Sequence, residues 1–253
     1  MAHEPYFSVK EQADTAILMI HGILGTPDHF KPLLPLVPAE WSVYNILLDG
    51  HGKNASDFSN SSMAKWKTQV SELIDQLSNH YDRILIAAHS MGTLFAIQEA
   101  IKHPQKIKGL FLLGSCLRAT LKPLAVQNAL KVSLGWIRKT DEAAIAAANA
   151  CSIMPTKKLW NYLGWVPRYW ELLREIRHTR KLLPQLRILC TVCQSAHDEM
   201  VSQKAALYFQ SLPQVDQVIL DHSTHFHYKN GDLQRLQVLF EEFCANYKTE
   251  MPQ

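Results

Sequence analysis

An α/β chain whose mainly parallel sheet is covered by helices on both faces, with a helical insertion near its middle, is what this sequence predicts. Three observations lead there. Six apolar runs of strand length recur along the 253 residues: Thr15 to Ile20, Val43 to Leu48, Arg83 to Ala88, Gly109 to Leu113, Arg187 to Val192 and Val215 to Leu220. Continuous runs of this kind suit strands buried on both faces. Helical patterns lie between them, and this alternation implies right-handed crossovers between parallel neighbours. Finally, the strands stop at about Cys116 and resume after Leu186. The expected organisation is a core of residues 1–115 and 187–253 carrying a cap of residues 116–186.

Between the second and third strands, Trp66, Val70, Leu73, Ile74 and Leu77 recur at helical spacing within Ser62 to Asn79. Leu233, Leu236, Leu239, Phe240 and Phe243 repeat the pattern within Gly231 to Tyr247. The insertion differs from both flanks. It holds 12 Lys or Arg against 4 Asp or Glu, a net of +8 in a chain whose total is only +3, and four of the six tryptophans. It has no internal repeat and no Gly/Ser linker, so it is expected to sit over one edge of the sheet.

Composition removes several classes. With 47% hydrophobic and 19% charged residues the chain can bury a core, which excludes collagen-like and disordered proteins. The opening MAHEPYFSVK has no apolar stretch of the signal-peptide kind, and no run is long enough to span a membrane, so a cytoplasmic protein is expected. Five cysteines scattered through apolar runs fit buried, reduced thiols. Cys190 and Cys193 suggest a redox or zinc pair only superficially: odd spacing on a strand sends the two sulfurs to opposite faces, and no second ligand pair follows.

The sharpest chemical signal is Arg83 to Ile97, where a strand runs through Ala88-His89-Ser90-Met91-Gly92 into a helix. Small residues at 88 and 92 permit a sharp turn that strains Ser90 and lifts its hydroxyl clear of the sheet, while the helix start favours negative charge. An anion formed by attack of Ser90 needs preset donors. Met91 N–H is one; the glycine turn Ile20-His21-Gly22-Ile23-Leu24-Gly25 supplies another, Ile23 N–H first and Leu24 second.

Serine also needs a base, and the base needs a carboxylate to orient it. Of twelve histidines, His225 in Asp221-His222-Ser223-Thr224-His225-Phe226-His227 is favoured, because its loop leaves the last strand toward the strands' carboxyl ends. His222 and His227 follow. Asp198, in the loop after Arg187 to Val192, reaches the same edge. Its neighbour Glu199 is expected to point elsewhere as a helix-start charge, and Asp221 stands too close to its strand to be first choice.

Five pieces, His21-Gly22, Leu48-Asp49-Gly50-His51-Gly52, Ala88-His89-Ser90-Met91-Gly92, His197-Asp198-Glu199-Met200 and Ser223-Thr224-His225, together resemble an α/β-hydrolase. Within that superfamily the chain is similar to small carboxylesterases and monoacylglycerol lipases. The resemblance implies Ser90 as nucleophile, Asp198 as acid and His225 as base, with Ile23 and Met91 holding the oxyanion. It implies hydrolysis of esters of apolar acyl groups, without metal or organic cofactor. A thioesterase or carbon–carbon hydrolase using the same triad is the alternative, and a non-catalytic ligand-binding member of the fold is a further one. The chain departs from the family pattern at Ala88, which stands where the first elbow glycine is usual, and throughout the cap, which carries no shared motif. His51 and His89 are expected to be structural.

Leu24 and the cap residues Leu130, Leu134, Trp136, Trp160, Trp165 and Trp170 are candidates to line an acyl pocket, although a helical cap must also pack with such residues. The basic surplus, Arg174, Arg177, Arg180 and Lys181 included, suits a solvated helix face; it also suits transient contact with anionic lipid surfaces or anionic acyl thioesters. No nucleic-acid module is visible.

Overall fold

The structure is a computed structural model that describes residues 3–120, 122, 123, 127, 131, 136–154, 159–229 and 231–248. Leu130 and Leu134 lie outside the described residues. Seven strands, β1 (Tyr6–Ser8), β2 (Thr15–Ile20), β3 (Ser42–Ile46), β4 (Arg83–His89), β5 (Ile107–Leu113), β6 (Leu189–Ser195) and β7 (Val215–Leu220), form one sheet in the order β1-β3-β2-β4-β5-β6-β7. Among the described residues only β1 runs antiparallel to its neighbour in this sheet.

The six expected strands are all present. β6 begins and ends two to three residues later than its apolar run, because the buried polar Gln194 and Ser195 continue it. β1 was not legible: three residues on an exposed edge have no buried face to imprint a pattern. β7 is the other edge, and Asp216, Gln217 and Ile219 are open to solvent there.

Side-chain alternation divides the core. On one face Leu18, Ile20, Ile84 and Ile86 pack with Trp66, Val70, Ile74 and Leu77 of helix α2 (Met63–His80), preceded by the short α1 (Ala55–Asn60), and with Leu94 and Ile97 of α3 (Gly92–Lys102). On the other, Ile17, Met19, Leu85 and Phe111 meet Phe30, Trp41 and a last helix at Asp232–Ala245, through Leu236, Phe240 and Phe243. Cys190 belongs to the first cluster and Cys193 to the second, so the two free thiols point away from each other.

The 116–186 segment divides into unlike parts. Glu142–Ala150 (α4) is followed by Ser152 and Met154, whose N–H groups donate to the carbonyls of Leu24 and Lys53 at 2.9 and 3.0 Å and so dock the segment on the loops at the carboxyl ends of β2 and β3. Helix α5 (Trp165–Leu182) instead packs in the core layer beside α2 and α3. Leu172 and Ile176 share their hydrophobic cluster, and Glu175 accepts from Lys67 Nζ at 2.7 Å and Gln98 Nε2 at 2.6 Å. Composition marks the exposed side of α5, which is basic and aromatic; it is blind to the buried side, which makes α5 an ordinary crossover helix between β5 and β6. The last helix, Asp232–Ala245, is α6.

Candidate active site at the carboxyl rim of the sheet

The chain goes from β2 outward to β3, then returns to place β4 on the other side of β2. That reversal is a topological switch point, where loops leave adjacent strands in opposite directions and open a crevice. It sets the His21–Gly25 turn beside the Ser90 turn. Ser90 has φ 52°, a left-handed conformation that costs a non-glycine residue roughly 1–2 kcal/mol, and its N–H is held by Leu113 O at 2.9 Å. Two glycines make the closeness feasible. A Cβ on Gly92 would stand 2.3 Å from Ile20 O, and one on Gly22 would stand 2.7 Å from Ser90 Cβ and 3.3 Å from its Oγ. Ala88 is fully buried in β4, so a methyl is accommodated where a glycine is usual.

The Gly22–Ile23 peptide therefore borders the serine, with Met91 completing the turn on the other side. His21 stiffens this loop. Its Nδ1 lies 2.8 Å from Gly22 O, which only accepts, so that nitrogen carries the proton, and Nε2 accepts from Leu48 N–H at 3.0 Å. Both ring nitrogens are satisfied in the neutral form; burial first, then the nearby His51, hold its pKa well below 6.5. Leu24 has φ 57°, and Ser152 of the insertion bonds its carbonyl, so the insertion secures the strained turn.

Asp198 and His225 lie on the loops after β6 and β7 and meet at 2.8 Å, Oδ2 to Nδ1, essentially sealed from solvent. Asp198 Oδ1 accepts from Met200 N–H and Val201 N–H at 2.8 and 2.7 Å, which fixes the carboxylate and leaves Oδ2 for the imidazole. Gly114 closes β5 at φ 55°, and a Cβ there would stand 3.4 Å from His225 Cε1 and 3.5 Å from Asp198 Oδ2, so the pair rests flush against this glycine. Burial works against a charged imidazole, but the Asp198 charge, its hydrogen bond and the Glu199 charge outweigh it and raise the His225 pKa above 6.5.

Glu199 corrects the expectation that it points away as a helix-start charge. It is buried, and its Oε2 accepts from His225 N–H at 3.0 Å. The helical turn begins only at Gln203; before it the loop turns back to pair Val201 with Ala119, and Glu199 lies buried in that turn. Sequence could not signal this, because adjacent residues in irregular backbone have no periodicity to separate them. His29 and Tyr228 were also missed. The His29 ring stacks on His89 with centroids 3.8 Å apart, and its Nε2 meets Tyr228 Oη at 3.2 Å. His89 in turn packs on His225 at 4.7 Å. His222 is exposed, and Asp221 pairs at the surface with Arg235.

The cap candidates are dispersed. Trp165 packs edge-on to Phe58 at 5.0 Å and donates to Ala55 O at 3.1 Å, so it anchors α5 to α1. Trp136, Trp160 and Trp170 are exposed, Trp170 beside Arg174. His51 is buried under Phe58 and Trp66, with its Nδ1 toward Asp49 O. Among the described residues no group of three or more His, Cys, Asp or Glu is arranged to hold a metal ion.

A parallel sheet crossed by helices, with a left-handed serine after the central β4 and a histidine–carboxylate pair from the loops after β6 and β7, defines an α/β-hydrolase. The chain belongs to the Hydrolase_4 family, whose model, described as "Serine aminopeptidase, S33", matches residues 11–228. It is similar to a thermostable monoacylglycerol lipase of Bacillus sp. (strain H-257), 28% identical over 40% of each chain. A pimeloyl-[acyl-carrier protein] methyl ester esterase of Neisseria meningitidis is 31% identical over 41% of this chain and 38% of its own length. Each match thus takes in about two fifths of the curated relative. Among solved structures, a chain from the work on LipS and LipT, two metagenome-derived lipolytic enzymes, superposes with a TM-score of 0.75 at 19% identity, covering 97% of this chain and 98% of that one. The Paleococcus ferrophilus monoacylglycerol lipase gives 0.67 at 14%, covering 96% and 99%. At these identities the likeness is one of fold. No helix among the described residues is long and apolar enough to cross a membrane.

Proposed function

We propose that this chain is a serine hydrolase that cleaves carboxylic esters of apolar acyl groups through an acyl-enzyme on Ser90. One observation carries the reading: a sealed His225–Asp198 pair at 2.8 Å stands on the same rim as a serine held at φ 52°. His225 takes the Ser90 proton as the hydroxyl attacks the ester carbonyl, then delivers it to the leaving alcohol. Asp198 holds the imidazole in the required tautomer and stabilises its cation. The N–H groups of Ile23 and Met91 receive the oxyanion, and water then releases the acid by the same steps. The names of the curated relatives, a monoacylglycerol lipase and a methyl ester esterase, support an oxygen ester as the bond.

The reading extends to where the substrate comes from. Val166, Trp170 and Leu173 follow one another at helical spacing along the exposed side at the start of α5, with Leu163 in the turn just before the helix and Arg174, Arg177 and Lys181 beyond them. An apolar stripe bordered by cations suits transient contact with an anionic lipid surface.

A fluorophosphonate probe should label the wild type at one site and leave Ser90→Ala untouched, with ester hydrolysis reduced by roughly 10⁴-fold or more in that variant. Undiminished labelling or turnover in Ser90→Ala sinks the assignment. A series of acyl esters from acetyl to long chain, each in oxygen and sulfur form, then ranks chain length and separates esterase from thioesterase.

A further inference from the structure

Resting on the assignment of His225 as the base, we infer that Glu199 and His89 are positioning residues that grip the main chain of His225 from both sides. Glu199 Oε2 accepts from the His225 N–H at 3.0 Å, and His89 Nε2 lies 3.2 Å from the His225 carbonyl. A carbonyl only accepts, so His89 Nε2 carries the proton and donates. Peptide groups in a loop are ordinarily satisfied by other backbone or by water. Here the two groups of one residue take two buried side chains, from the loop after β6 and from the end of β4. The two together fix the position of the imidazole beyond what its bond to Asp198 sets.

The arms differ in charge, and that difference makes them separable. Six groups bear on His225: the Asp198 carboxylate at its Nδ1, Glu199 at its N–H, His89 against its ring, His29 stacked behind His89, Tyr228 whose hydroxyl meets His29, and Lys122, whose ammonium reaches the Asp198 carbonyl. Burial, together with the neighbouring His29 and His225, keeps His89 neutral, so its grip adds no positive charge beside the base. Glu199 adds a second negative charge toward the imidazolium that forms when Ser90 gives up its proton. Losing the Glu199 charge therefore changes the basicity of His225, whereas losing His89 changes only its position.

The experiment compares Glu199→Ala, Glu199→Gln, His89→Leu and His89→Gln in the full chain, with kcat, KM and the pH profile measured on a short-chain p-nitrophenyl ester, alongside thermal unfolding. We expect Glu199→Ala and His89→Leu to lower kcat by about 10- to 100-fold with KM little changed, the effect of a misplaced reacting group. Gln at either position keeps the hydrogen bond and should restore most of that kcat at alkaline pH. Glu199→Gln should move the acid limb of the profile to lower pH, and His89→Gln should leave it in place. Folded Glu199→Ala and His89→Leu with wild-type kcat, or an acid limb unmoved in Glu199→Gln, overturns the inference. If Glu199→Ala fails to fold, the acid limb of Glu199→Gln decides alone. Ser90→Ala, run beside them, separates the two failures: activity lost there but intact in the four variants removes the grip alone, and activity retained there removes the assignment with it.

Discussion

Ser90, Asp198 and His225 at the rim of the sheet are 6, 0 and 3% exposed, while Trp136, Trp160, Leu163 and Trp170 in the 116–186 segment are 62 to 71% exposed. The rim thus buries polar chemistry, whereas the outer side of that segment displays large apolar side chains. At the rim, the buried polar atoms of three residues are tied to specific partners: both Asp198 oxygens, both His21 nitrogens, and the N–H and C=O of His225. A buried polar atom without a partner carries a desolvation penalty of about 1–3 kcal/mol, so such a site has little freedom to be imprecise. The outer side of the 116–186 segment answers to no such constraint, and its residues are free to be set by whatever they meet in solution. The contrast separates a region where geometry is over-determined from one where composition is the message.

Substitutions test that contrast, beginning with the largest expected effect. Gly92→Val places side-chain atoms against the Ile20 carbonyl, where even a Cβ would stand at 2.3 Å. It should cost about 3 kcal/mol or more, seen as a lower urea midpoint and loss of cooperative unfolding; a midpoint within error of wild type would show the rim to be looser than its packing indicates.

A reversible effect comes from pH. Burial is the first cause that lowers the pKa of His21, His29, His51 and His89, to about 3 for His29 and about 4 for His51. The unfolded chain binds protons at these positions below 6.5 and the native chain does not, so stability present above that pH is lost as pH falls toward the lowered values. His225 has the opposite sign: its raised pKa contributes stability below 6.5 that is lost as pH rises through the native value. With four groups against one, urea midpoints at pH 7.5, 6.0 and 4.5 should fall in that order, and a flat series would mean that these rings are not sealed.

Glu175→Ala asks whether α5 is part of the core. The residue joins Lys67 and Gln98 to the helix, and its removal should cost about 1–2 kcal/mol while leaving kcat within about twofold, because Lys67 can turn to water. Least of all, Trp160→Ala and Trp170→Ala should change stability by no more than about 0.5 kcal/mol. Trp170→Ala should also weaken retention on vesicles containing anionic lipid; unchanged retention would separate the exposed stripe from any lipid contact.

The parallel strands, the sharp turn at Ser90 and the placement of Asp198, His225 and Ile23 on loops at the carboxyl rim were legible because each depends on local rules: apolar runs, a small-x-Ser-x-Gly turn, and loops at predictable strand ends. The opposed faces of Cys190 and Cys193 follow from strand period alone. What lay beyond reach has a common cause. Glu199, His29, Tyr228, Ser152 and the buried side of α5 act through contacts between residues distant in the chain or in irregular backbone, where no period links side chain to direction. Sequence determined which groups reach the carboxyl rim, since strand direction dictates that; only the tertiary structure decided how they are held there, because the bonds that hold them join loops from four separate strands.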